Sequence, residues 1–324
     1  MALPATRPMP AAPAGVGAAN PATVLSPADL ASLVLIVLIW GSNFVVMKVG
    51  LKGAGPMLLG ALRYLFAALP VLLVPRPALP WRYVAAYGLA QGLGQFGLLF
   101  LGLSLGVPAG IASIVLQTQV FFTALMAGAV LGERTAAHQW AGLVVAAGGL
   151  VLIATASVPG TVHVPLLALG LTVAAAWMWA ASNIVARFAQ RRHPRYEAAS
   201  LVVWGSCFPV LPFLLLAVWQ EGGAVTLQAL RDLGWRTGLA AAYLGLVATV
   251  GAYSMWARLL KRHPAGRIAP FSFAVPVVGL YAAWLVFDER LAPLQWAGAA
   301  AIGAGLLLNN FGGALLGRAR PPGI

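Results

Sequence analysis

The chain has 324 residues, 61% of them hydrophobic and 8% charged, with a net charge of +13 at pH 7. Soluble domains typically carry about 25% charged residues, so this composition excludes a water-facing globular protein and points to a polytopic membrane protein. The positive charge does not imply a nucleic-acid partner, because Lys and Arg fall in short gaps between apolar runs, where retention on the cytoplasmic side explains them.

Residues 1–28 are rich in Ala and Pro, with Arg7 as their one basic side chain. They lack the apolar core of a signal peptide and their prolines oppose a regular helix, so a disordered tail is expected. Apolar segments follow at roughly 31–50, 57–74, 83–103, 108–131, 138–156, 164–189, 199–219, 237–258, 267–287 and 293–313. About 20 residues at 1.5 Å rise cross a hydrocarbon core of about 30 Å. The uncharged run between Arg82 and Glu133 is long enough for two such crossings, with Gly106-Val107-Pro108 as the turn. Ser157–Gly160 divides the fifth segment from the sixth, and 314–324 forms a second tail. The expected fold is therefore all-α, with ten transmembrane helices.

Basic residues set the orientation. With the N-terminus inside, fourteen Lys and Arg face the cytoplasm, including Arg187, Arg191, Arg192 and Arg195 and the cluster from Arg258 to Arg267. Five face out (Lys48, Lys52, Arg231, Arg236 and Arg290), and Arg63 lies within a span. Both termini are expected in the cytoplasm.

One stretch occurs twice. Leu131–Gly142 (LGERTAAHQWAG) matches Phe287–Gly298 (FDERLAPLQWAG) at an offset of 156 residues (289 − 133). The match runs without a gap from Pro108-Ala109-Gly110 against Pro264-Ala265-Gly266, with 15 of 46 positions identical. Trp40-Gly41-Ser42-Asn43 similarly echoes Trp179 to Asn183. Five spans per copy is an odd number, so the copies insert in opposite orientations, the 5+5 inverted duplication of many secondary transporters. The first repeat occupies 29–157 and the second 162–313.

These residues carry a resemblance. W-G-S-N-F-V-V-M-K (40–48), L-R-Y-L (62–65) and the P-A-G, G-E-R and Q-W-A-G blocks resemble the EamA family of the drug/metabolite transporter superfamily. Within it, F-V-V-M-K-V-G-L (44–51), P-A-G-I-A-S-I-V-L-Q-T-Q-V-F-F-T (108–123), N-I-V-A-R (183–187) and P-V-V-G-L (276–280) are similar to the subgroup exporting O-acetylserine and cysteine. The resemblance implies a carrier in the bacterial inner membrane that exports amino acids or similar metabolites, as a monomer or homodimer. An exporter of another metabolite, nucleobase or drug is the alternative.

Candidate substrate-binding residues are polar or aromatic side chains at membrane depth. Arg63 sits in the middle of the second segment, where a charge costs at least ~2.5–3.5 kcal/mol and should face a polar cavity. Its guanidinium can fork onto a substrate carboxylate; a structural Arg bonded to carbonyls is the competing account. Its counterpart in the second copy is Trp204, so the duplication does not require it. Asn43 and Asn183 offer donors and acceptors near the pseudo-twofold axis, or act as interhelical glue. Trp40 and Trp179 can wall the cavity. Gln117 and Gln119 have no polar equivalents in the other copy, where Phe273 and Val275 stand, while Gln91 shares a helix face with Gln95; amides in lipid must find partners, so all four are expected inward. Tyr253, with Trp256, completes the set.

Glu133 and Glu289 each precede an Arg at a span end, which suits an ion-paired helix terminus better than a proton carrier. Protons as coupling ion, or the substrate gradient itself, both stay open as energy sources. Cys207 is the lone cysteine and His138, His163, His193 and His263 are scattered, so no metal site is read. There is no G-x-x-x-x-G-K-[ST] loop for ATP and no intramembrane cluster of His, Asp or Ser/Lys for catalysis, so neither a cofactor nor an enzyme is expected.

Overall fold

The computed structural model describes residues 25–131, 136–156, 164–262 and 268–315. Residues 1–24 of the N-terminal tail, most of 314–324, and the Glu133-Arg134 pair lie outside the described residues. The described residues are helical, without strands, and seven helices are long and apolar enough to cross a membrane. These are α1 (Pro27–Gly50), α3 (Trp81–Ser104), α4 (Ala109–Val130), α5 (Ala137–Thr155), α6 (Leu166–Arg192), α7 (Ala198–Glu221) and α8 (Trp235–Leu259). Two shorter apolar helices are α2 (Pro56–Leu72) and α9 (Phe271–Phe287). Pro293–Leu315 forms α10, and a short helix, Gly223–Arg231, links α7 to α8 after Gly222 turns the chain at φ 87°.

Local chemistry sets several ends. Helix α1 begins inside the expected tail, because Ser26 and Asp29 form a capping box and Pro27 occupies the first turn. The repeated glutamines have the same task in each copy. Gln139 Oε1 accepts the Ala136 N–H at 2.8 Å at the start of α5, and Gln295 Oε1 accepts the Ala292 N–H at 2.9 Å before α10. Gly88, Gly92 and Gly102 lie against Gly205, Pro209 and Thr172, whereas Gly106 (φ 106°) makes the turn between α3 and α4.

Helices α5 and α10 pack face to face through four glycines. A Cβ on Gly142 would lie 2.6 Å from Gly305 O, and one on Gly305 2.5 Å from Gly142 O. Gly149 and Gly298 stand in the same reciprocal relation, at 2.6 Å each way. Since 142 + 156 = 298 and 149 + 156 = 305, each glycine meets the counterpart of its own helix partner, the pattern of a twofold contact between antiparallel elements. Other close packings include α3 with α6, α4 with α6, α1 with α9, and α2 with α7.

Four helices depart from regular α geometry inside the bundle. Leu89–Gly97 of α3 and Tyr243–Gly251 of α8 are π-helical, while Leu116–Thr118 of α4 and Ala269–Ala274 at the start of α9 are 3₁₀ turns. Such stretches free backbone groups and re-aim side chains, and they recur at functional sites. Here they frame the buried polar residues.

Candidate functional site

Arg63 stands in the middle of α2, 1% exposed, and is among the largest fully buried side chains. Gly245 of α8 brings the helix backbones together at this level, since a Cβ there would collide with Arg63 O. The guanidinium lies over the Phe96 ring, 3.5 Å from its centroid, and Nη2 donates to Thr249 Oγ1 at 2.9 Å. Phe96 and Thr249 come from the two π-helical stretches. Nε and Nη1 have no hydrogen-bond partner, and among the described residues no carboxylate pairs with this charge. Burial without a counter-ion raises the cost of a charge, and an aromatic face returns only part of it, about 2 kcal/mol or more when desolvated.

Three further expected residues join Arg63. Gln91 is buried in the π-helical stretch that carries Phe96, and Tyr253 follows Thr249 by four residues on α8. Tyr64 donates its hydroxyl to Gln91 O at 3.4 Å and stacks on Phe213. Trp40 closes this side, its ring centroid 5.1 Å from that of Tyr253 and its Nε1 donating to Ala248 O at 3.3 Å. Thus α1, α2, α3 and α8 all contribute to one polar, aromatic-walled cluster.

The remaining candidates lie in separate groups. Asn183 of α6 donates to Gln119 Oε1 at 3.0 Å, and Thr123 donates to the same oxygen at 3.2 Å, joining α6 to α4. Gln117 donates to Ser272 O at 2.9 Å and links the two 3₁₀ turns. Asn43 is buried with Oδ1 unpartnered, and no hydrogen bond joins it to Asn183. Trp179 is half-buried against the main core. Trp204, the counterpart of Arg63, donates to Val74 O at 3.0 Å and packs on Trp81, well along the helices from Arg63. Sequence reasoning passed over Phe96 and Thr249; an aromatic beside a buried glutamine on a glycine-rich helix was the available signal for the first, and nothing marked the second.

Glu289 is ion-paired at a helix terminus as expected, but its partner is not Arg290. It meets Lys48 Nζ at 2.7 Å and accepts the N–H groups of Ala109 and Gly110 at 3.1 and 3.2 Å, capping α4. Arg290 pairs with exposed Asp288 at 3.2 Å. The positive N-terminus of α4 makes this carboxylate position favourable. Among the described residues no group of His, Cys, Asp or Glu could hold a metal ion.

The model of the EamA-like transporter family matches residues 29–155 and 166–311. A probable amino-acid metabolite efflux pump of Salmonella typhimurium is 43% identical over 279 residues, covering 86% of this chain and 93% of the relative. Its Escherichia coli namesake is 40% identical with the same coverage. A probable terminal-alkyne amino-acid exporter of Streptantibioticus cattleyicolor is 28% identical over 286 residues, covering 86% of this chain and 92% of its own. A crystal structure at 20% identity superimposes with a TM-score of 0.59, over 90% of this chain and 99% of that one, a likeness of fold.

Proposed function

The chain belongs to the EamA-like transporter family, a multi-pass membrane transporter and not an enzyme, and on that premise we propose that it exports amino acids or closely related metabolites, of the O-acetylserine and cysteine type, across the bacterial inner membrane. Arg63 is the anchor for the substrate carboxylate. The observation carrying this reading is a guanidinium 1% exposed, with two nitrogens unpartnered and, among the described residues, no carboxylate on it. A permanent structural role would have supplied acceptors for those nitrogens; a transient anionic ligand supplies them only when bound.

Transport proceeds by alternating access between two inverted halves of five helices, both termini being cytoplasmic. The reciprocal Gly142–Gly305 and Gly149–Gly298 contacts support the inversion, as do π-helical stretches at matching places in α3 and α8. The Gln119–Asn183 and Gln117–Ser272 contacts belong to the same lining, held together in this conformation and available to substrate when α4 moves from α6 and α9. The names of the relatives favour amino acids over nucleobases or drugs.

The test is export itself. Overexpression in a bacterial host should raise O-acetylserine and cysteine in the medium above a vector control. Accumulation of neither, with no other amino acid enriched, would refute the substrate assignment.

A further inference from the structure

Resting on the Arg63 site proposed above, we infer that Gln95 is its second pole, an acceptor for the substrate ammonium, so that the protein selects α-amino-acid zwitterions over carboxylic acids lacking the amino group. Among the described residues, the buried side-chain atoms without a hydrogen-bond partner are Arg63 Nε and Nη1, Gln95 Oε1, Asn43 Oδ1 and Asn309 Oδ1. Each such atom costs about 1–3 kcal/mol, so each asks for an explanation. Asn309 packs against Gly142 in the α5–α10 contact, away from the Arg63 cluster.

Arg63 and Gln95 are complementary in kind. Arg63 presents only donors, and the open atom of Gln95 is an acceptor. Gln95 is 1% exposed and immediately precedes Phe96, the residue whose ring carries the guanidinium. It also lies four residues after Gln91 within one π-helical stretch, where residues at that spacing share a face. Gln117 is engaged with Ser272, and Gln119 with Asn183 and Thr123. Among the described glutamines, Gln95 alone has a fully buried side-chain oxygen without a partner.

The ligand that satisfies both ends carries an anion and a cation on neighbouring atoms. A simple carboxylic acid would pair Arg63 and leave Gln95 Oε1 dry and unpartnered. A simple amine would meet the guanidinium as a like charge. An amide suits this position better than a carboxylate, which would pair permanently with Arg63 and occupy the site.

Binding of L-cysteine and of 3-mercaptopropionate, its counterpart without the amino group, should be measured by calorimetry on the purified full-length protein under reducing conditions. The wild type should favour cysteine by about 10- to 100-fold, the ratio for one hydrogen bond to a charged group. In Gln95→Leu the ratio should fall towards one through loss of cysteine affinity, with mercaptopropionate affinity kept. Gln95→Met, which keeps the side-chain length, is measured alongside and should behave alike if Gln95→Leu does not fold. A wild-type ratio near one, or an undiminished ratio in both variants, overturns the inference while leaving the Arg63 reading standing. Undiminished binding of both ligands by Arg63→Met overturns the Arg63 reading itself, and failure of the wild type to bind either compound overturns both.

Discussion

Lys48 Nζ and Glu289 Oε1 meet at 2.7 Å although the two residues are 241 positions apart in the chain. The carboxylate is nearly buried and also caps α4 through Ala109 and Gly110, so one side chain ties α9 to both α1 and α4. Removing one member of a buried pair leaves the other uncompensated. We predict that Glu289→Gln lowers stability by about 1–3 kcal/mol, read as a fall in Tm in detergent. Arg290→Gln, which breaks only the exposed pair with Asp288, should change Tm little. Equal effects of the two substitutions would contradict the assignment of partners.

The α5–α10 contact makes a sharper comparison, because adjacent glycines differ in what surrounds them. A Cβ at Gly149 would press on Gly298 O, whereas one at Gly148 meets nothing within 4 Å. Gly149→Ala and Gly298→Ala should each destabilise by about 1–3 kcal/mol through overpacking. Gly148→Ala should be neutral or stabilising by up to about 1 kcal/mol through helix propensity. Thermal denaturation of the three variants decides.

Inverted halves require that equivalent turns face opposite sides of the membrane. Leu105 lies in the turn between α3 and α4, and Arg262 ends the helix leading to the equivalent turn before α9. On a Cys207→Ser background, Leu105→Cys should react with an impermeant thiol reagent added from outside, and Arg262→Cys only after the membrane is opened. Labelling of both from one side would refute the inversion.

Much of the fold was legible in the sequence because two of its causes are local. A span needs about 20 apolar residues, and charges with turn residues divide those runs. The duplication gave the pairing of helices a register, and the repeated Gln139 and Gln295 proved to be helix caps, consistent with a scaffold role for that block. What was hidden depends on distant neighbours. Glu289 looks paired with Arg290 in sequence, yet the αL turn at Asp288 (φ 50°) ends α9 and a cation on α1 takes the carboxylate. Helix periodicity assumes 3.6 residues per turn, so the π-helical stretch that puts Phe96 under Arg63 was invisible. Thr249, an unremarkable residue in an apolar run, became part of the site only when α8 crossed α2.

The most direct measurement concerns Arg63. Export of O-acetylserine and cysteine by Arg63→Lys and Arg63→Ala should be compared with wild type at matched membrane levels. Lysine keeps the charge without the planar fork. The account predicts normal insertion and a loss of export of about tenfold or more in both variants. Wild-type export by Arg63→Ala would contradict it.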